Sequence, residues 1–184
     1  DGIYWDQSCL VDSLKAAIVD FCDKHKNVDK SRIYLLGWCL GSLGAMNLAS
    51  AYPELFAATV LMAPDRAITK SEAERLREMP VWLMAAKTDT HSFYHFNALP
   101  TWKLLCSTTN NKLNLRLTTY LRAVDVYLVH NAVAMCNHNL WDNVSEDLHF
   151  EGVPYDRDKI ISGSYKGMKT VDGTGAVLYD PYII

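Results

Sequence analysis

The chain has 184 residues, 49% hydrophobic, 21% charged and 11% aromatic, which excludes disorder, collagen-like repeats and coiled coil and suits a compact globular core. Its 18 Lys+Arg and 21 Asp+Glu leave a formal charge of −3, with no Lys/Arg run longer than two residues, so the electrostatic footprint of a nucleic-acid or anionic-membrane binder is missing. No apolar stretch approaches the roughly 20 residues a membrane span requires.

In chain order, residues 8–25 set Leu10, Leu14, Ala17, Ile18, Phe21 and Cys22 in one apolar stripe at helical period, with Lys15, Asp20, Asp23 and Lys24 outside it. Val28–Ser31 reads as a turn. Arg32–Gly37 is a short apolar run ending at a glycine, which suits a buried strand. Residues 42–51 form a helix of small residues that stops before Pro53, and Phe56–Met62 is a second buried strand closed by Ala63-Pro64. Residues 70–78 are polar and strongly helical, with Ser71 and Glu74 at capping-box spacing. Val81–Ala86 is a third buried strand. A mixed stretch follows, and then Leu113, Leu115, Leu117 and Thr119 alternate with polar residues as a fourth strand. Leu140–His149 has the pattern of a helix. Strands alternating with helices predict an α/β fold: a mostly parallel sheet with helices on both faces. From Gly152 onward the texture turns Gly- and Tyr-rich, and Asp172-Gly173 is a hairpin signal. We therefore divide the chain into a core, 1–150, and a C-terminal extension, 151–184.

Five cysteines are scattered without CxxC spacing, which argues against a disulfide framework or a thiolate zinc site. Most are expected to be small buried hydrophobes in a reducing compartment, and on that ground the expected location is cytoplasmic. The sequon Asn143-Val144-Ser145 points weakly toward secretion. Nothing at the start reads as a signal peptide, but residue 1 is Asp rather than Met, so the start says nothing about location.

The most informative segment runs strand, Gly37-Trp38-Cys39-Leu40-Gly41, helix. A nucleophile elbow has this form because its central residue sits on a sharp, strained turn. Glycines on either side let strand and helix pass closely. The following helix aims its dipole and free N–H groups at the same spot, and a helix N-terminus favours a thiolate. The bland alternative is a buried cysteine in an ordinary strand–loop–helix.

These residues, with Asp29–Leu35 and Tyr52–Ala58, resemble the α/β-hydrolase superfamily. The nearest likeness is to its esterase branch of polyhydroxybutyrate-depolymerase-like and feruloyl-esterase-like proteins. That branch usually carries Ser where this chain has Cys39. The elbow is also similar to the Cys-containing elbow of dienelactone hydrolases and of polyhydroxyalkanoate synthases. The resemblance is specific over residues 28–64, looser over 79–91 and 136–150, and absent from the tail.

A thiol nucleophile needs a base, and the base needs an orienting carboxylate; in this superfamily they follow in the order nucleophile, acid, histidine. The loop Lys87–Thr90 resembles the family's acid loop, which makes Asp89 the expected carboxylate. Among six histidines, His25 sits near a helix end, and His149 lies at the far end of a predicted helix. His91 and His95 follow Asp89 too closely to serve from a separate loop; they have the spacing of a metal pair, but no third ligand is evident, so no metal is expected. His130 and His138 both follow the fourth strand. His138 is preferred because His-Asn-Leu-Trp-Asp resembles the family's catalytic His before a Trp-bearing helix.

One oxyanion donor is expected to be the Leu40 N–H. The other normally comes from an early strand–loop upstream of the first helix seen here. Trp38 and Trp141 are candidates for lining an acyl or alcohol pocket, or for ordinary core. Trp102 and Phe93-Tyr94 lie where many hydrolases insert a lid. The resulting expectation is a hydrolase of small carboxylic esters or thioesters, working through a Cys39–His138–Asp89 triad and a covalent acyl-enzyme without a cofactor. The alternatives are a Cys-dependent acyltransferase and a catalytically silent binding module. Because the family sheet has about eight strands and four are found before the tail, a partner chain or upstream segment is expected to complete it.

Overall fold

The computed structural model describes residues 5, 7–87, 89, 94–120 and 169–178. In chain order these form α1 (Ser8–Lys24), β1 (Tyr34–Trp38), α2 (Leu40–Ala51), β2 (Ala58–Met62), α3 (Lys70–Arg75), β3 (Val81–Ala86), α4 (Ala98–Thr108), β4 (Leu115–Tyr120), β5 (Lys169–Asp172) and β6 (Val177–Leu178). The strands make one six-stranded sheet in sequential order, β1 to β6. Neighbours are parallel from β1 through β4, and β5 and β6 add an antiparallel hairpin beside β4.

Alternate residues of a strand face opposite sides, so each sheet face has its own side-chain set. On one face Leu61, Val81, Leu83, Leu115 and Leu117 are buried with Val11 of α1, Met46, Leu48 and Ala49 of α2, Ala73 of α3 and Ala98 and Leu105 of α4. The opposite face holds a smaller cluster, Met62, Ala63, Met84 and Ala86 with Trp38, Val60 and Trp82, to which no described helix contributes. The topology accounts for this. Parallel strands are joined by right-handed crossovers, and here the strand order never reverses, so successive helices fall on the same side. The sequence reading placed helices on both faces; the helix it expected over 140–149 lies outside the described residues.

Several local expectations are corrected. The buried line of α1 is Val11 and Cys22, with Leu14, Ile18 and Val19 partly buried, whereas Phe21 is exposed and its ring stacks on His25 with centroids 4.3 Å apart. The capping box of α3 is Thr69 with Glu72, not Ser71 with Glu74: Thr69 Oγ1 accepts from the Glu72 N–H, and the Glu72 carboxylate accepts from the Thr69 N–H. Glu72 is also gripped by Arg66 at 2.5 Å, which fixes the loop entering the helix and so chooses between two overlapping S/T-x-x-E patterns. Burial raises the Glu72 carboxyl, but the bonds from Arg66 and Thr69 together outweigh it, and the net shift is downward. β4 begins at Leu115, and Leu113 is exposed in a 3-10 turn. α4 was hidden by Pro100, which sits in its first turn, where the missing N–H costs no helical bond. Trp102, in the region of lid insertions, is on α4 and packs against the main core; Phe93 lies outside the described residues.

The hairpin signal in the tail holds, with different chemistry. Gly175 takes the left-handed φ of +89°, while Gly173 is needed for close approach, since a Cβ there would lie 2.7 Å from the Lys112 carbonyl oxygen. The Asp172 carboxylate accepts from the Thr174 hydroxyl and from the N–H groups of Thr174 and Ala176. The Thr174 hydroxyl is the main cause of its pKa falling below the usual carboxylate value.

Candidate active site

The aligned register Trp38↔Met62↔Met84 brings the carboxyl ends of β1, β2 and β3 to one edge of the sheet. Cys39 follows the last residue of β1 and is the N-cap of α2. Its backbone is left-handed, φ 53° and ψ −121°, a conformation L-residues adopt only when the surroundings enforce it. Four hydrogen bonds define those surroundings. The Cys39 N–H donates to the Met62 carbonyl at 3.0 Å, and the Ser42 N–H donates to the Cys39 carbonyl at 2.9 Å. The Ser42 hydroxyl reaches the Gly37 carbonyl at 2.8 Å and the Met62 carbonyl at 2.9 Å.

Of the elbow glycines, Gly37 has the role the sequence predicts. A Cβ there would overlap the carbonyl oxygen of Gly41 and come within 2.8 Å of the Ala45 Cβ. Gly41 does not, because a Cβ at that position meets nothing within 4 Å among the described residues. Close passage of strand and helix is therefore secured from the strand side alone.

Leu40 is the first residue of α2 and is exposed. Its N–H belongs to the first helical turn, whose donors have no intrahelical acceptor. Asp89 lies three residues beyond β3, half-buried, with its N–H on the Ala86 carbonyl at 3.4 Å. β1 and β3 are two strands apart, which separates their axes by about 10 Å. Cys39 and Asp89 thus stand at the same edge with the end of β2 between them. Trp38 points to the second face and is half-buried against the cluster containing Met62 and Met84. His138, His130, Trp141, His91 and His149 lie outside the described residues. His25 caps the end of α1, and His95 is exposed beside the Tyr94 ring.

Of the cysteines, Cys22 alone among the described ones is buried; Cys9 is exposed, Cys39 and Cys106 are intermediate, and all four are free thiols. The expectation of mostly buried cysteines therefore fails, for Cys9 because it lies on the side of α1 away from the buried line and for Cys39 because it stands on the turn. Burial is the main influence pushing the Cys106 thiol pKa up; the Lys112 charge opposes it and the Asp172 charge adds to it. Two features escaped the sequence reading. Ser42 directly follows the second elbow glycine, in a position with no motif of its own. Ala63, one past the end of β2, is buried and has φ 45°, and no side-chain pattern announces a left-handed alanine.

The dienelactone hydrolase family model matches residues 3–132. A solved structure described as that of a thermostable esterase is 26% identical over 59% of this chain, with a TM-score of 0.49. The chain spans 28% of that structure's length. No curated protein matches. With an elbow of this geometry inside the matched span, the chain belongs to the dienelactone hydrolase family, within the α/β-hydrolase superfamily.

Proposed function

We infer that the chain carries the nucleophile of an ester hydrolase and acts on carboxylic esters or thioesters through Cys39, His138 and Asp89. The observation that carries this reading is the left-handed Cys39 between β1 and α2, at the sheet edge shared with Asp89. Family membership supports ester chemistry, and the Gly37-Trp38-Cys39-Leu40-Gly41 elbow is similar to the Cys-containing elbow of dienelactone hydrolases.

In the proposed reaction the Cys39 sulfur attacks the carbonyl carbon while the imidazole of His138 takes the thiol proton. The oxyanion lies against the Leu40 N–H. Collapse expels the alkoxide or thiolate, which receives that proton, and leaves a thioester on Cys39. His138 then deprotonates a water that attacks the thioester, and the carboxylic acid and the free thiol are released. Asp89 accepts from the imidazole and holds the tautomer that can act as base.

A topological fact supports a histidine from residues 121–168. β5 is antiparallel to β4, and Lys169 pairs with Thr119, so the connection leaves and re-enters the sheet at the edge where Cys39 and Asp89 stand. Intact-mass analysis after brief exposure to p-nitrophenyl acetate tests the reading. We expect an acetyl adduct on Cys39 that disappears with time. A wild-type chain that gains no adduct at Cys39 would sink it.

A further inference from the structure

Ser42 is fully buried in the first turn of α2, and its hydroxyl bonds two carbonyls at once, those of Gly37 on β1 and Met62 on β2. A hydroxyl has one proton, so that proton is shared between them. The Met62 carbonyl also accepts the Cys39 N–H. One oxygen therefore ties down both the nucleophile's own backbone and the helix that begins beside it. Just past that oxygen the chain turns left-handed at Ala63, whose N–H donates to the Met84 carbonyl at 2.8 Å. Cys39 and Ala63 follow the register pair Trp38↔Met62, so two left-handed residues stand just past the ends of adjacent strands with this carbonyl between them.

Such backbone conformations persist only where neighbouring contacts over-determine them. Around Cys39 the contacts that link three separate elements converge on Ser42. We propose that Ser42 is a positioning residue for the nucleophile: its hydroxyl locks the Cys39 turn to the end of β2 and so aims the thiol and the Leu40 N–H at the same carbonyl group. The proposal deepens the acyl-transfer reading above and rests on Cys39 as its nucleophile.

The test compares the wild-type chain with Ser42→Ala, Ser42→Thr and Thr59→Val. Thr59 is an apt control because it is also fully buried and also bonds a β1 carbonyl, that of Leu35 at 3.1 Å, but away from the elbow. Two readouts are taken: kcat and KM for p-nitrophenyl acetate, and the iodoacetamide alkylation rate of Cys39, resolved from the other cysteines by peptide mass. For Ser42→Ala we expect kcat to fall about tenfold to a hundredfold with KM within about twofold, and the Cys39 alkylation rate to fall about tenfold. Ser42→Thr keeps the hydroxyl and should stay within about threefold of wild type on both readouts, and Thr59→Val within about twofold. Equal effects of Ser42→Ala and Thr59→Val would overturn the proposal, as would a Ser42→Ala chain that does not fold, since the hydroxyl would then be structural only. If the wild-type chain turns over no ester, the hydrolase reading falls, and the alkylation rates still decide the role of Ser42.

Discussion

Gly37 and Gly41 pass so closely that a Cβ on Gly37 would overlap the Gly41 carbonyl oxygen and lie 2.6 Å from its carbonyl carbon. A backbone group cannot rotate aside as a side chain can. Gly37→Ala should therefore cost about 3 kcal/mol, at the upper end of ordinary overpacking penalties. Gly41→Ala meets no atom of the described residues within 4 Å and replaces a helical glycine, so it should leave stability unchanged or raise it by up to about 1 kcal/mol. Urea unfolding of both variants checks the asymmetry, and equal penalties would refute it.

Cys39 holds a conformation that glycine adopts without strain. Cys39→Gly should raise stability by about 1 kcal/mol and abolish acylation, while Cys39→Ala abolishes acylation with little change in stability. A Cys39→Gly variant less stable than Cys39→Ala in urea would mean that the turn is not strained.

The choice of base is decided by kinetics. His138→Ala should slow acylation by several orders of magnitude, and His130→Ala should be mild. Single-turnover rates with p-nitrophenyl acetate settle it; the reverse ranking would move the base to His130.

Asp172 gives a pH dependence with a definite sign. The Thr174 hydroxyl and nearby N–H groups hold the carboxyl below its ordinary value of 3.8. A depressed folded-state pKa contributes stability that is present above the unfolded value and lost as pH falls through the folded one. The stability gap between wild type and Asp172→Asn should therefore be steady near neutrality and close below about pH 3.8. Unfolding midpoints at a series of pH values check this, and a gap that widens on acidification would refute it.

Among the described residues β1 pairs on one side only, and Tyr34 and Leu36 on it are exposed. Unpaired strand edges recruit other strands. We expect residues 1–184 expressed alone to associate, and Leu36→Lys to reduce that association. Sedimentation at several concentrations measures both. A monomer at all concentrations with full esterase turnover would show that the sheet needs no further strand beside β1.

How much of this was legible in the sequence depended on where the determining contacts lie. β2, β3 and α2 announce themselves because apolar runs or small residues are bounded by a proline, Pro64 after β2, Pro80 before β3 and Pro53 after α2, which is local information. The elbow was legible for the same reason: its geometry is written in five consecutive residues. α4 was not, since Pro100 masks a helix that only burial of Ala98, Thr101 and Leu105 reveals. Neither were Ser42 and Ala63, whose roles arise from the Met62 carbonyl, 20 positions from Ser42 along the chain. Gly41 shows the opposite error: a motif position was given a packing role that, among the described residues, Gly37 fulfils alone.

The pairing of Lys169 with Thr119 has a consequence for how such a chain can vary. Because β4 ends and β5 begins at the same end of the sheet, a change in the length of chain between Tyr120 and Lys169 need not shift the hydrogen-bond register of β4 with β5. Differences in length between related chains should accordingly be absorbed there, while β1 to β4, held by their ladders, change by substitution.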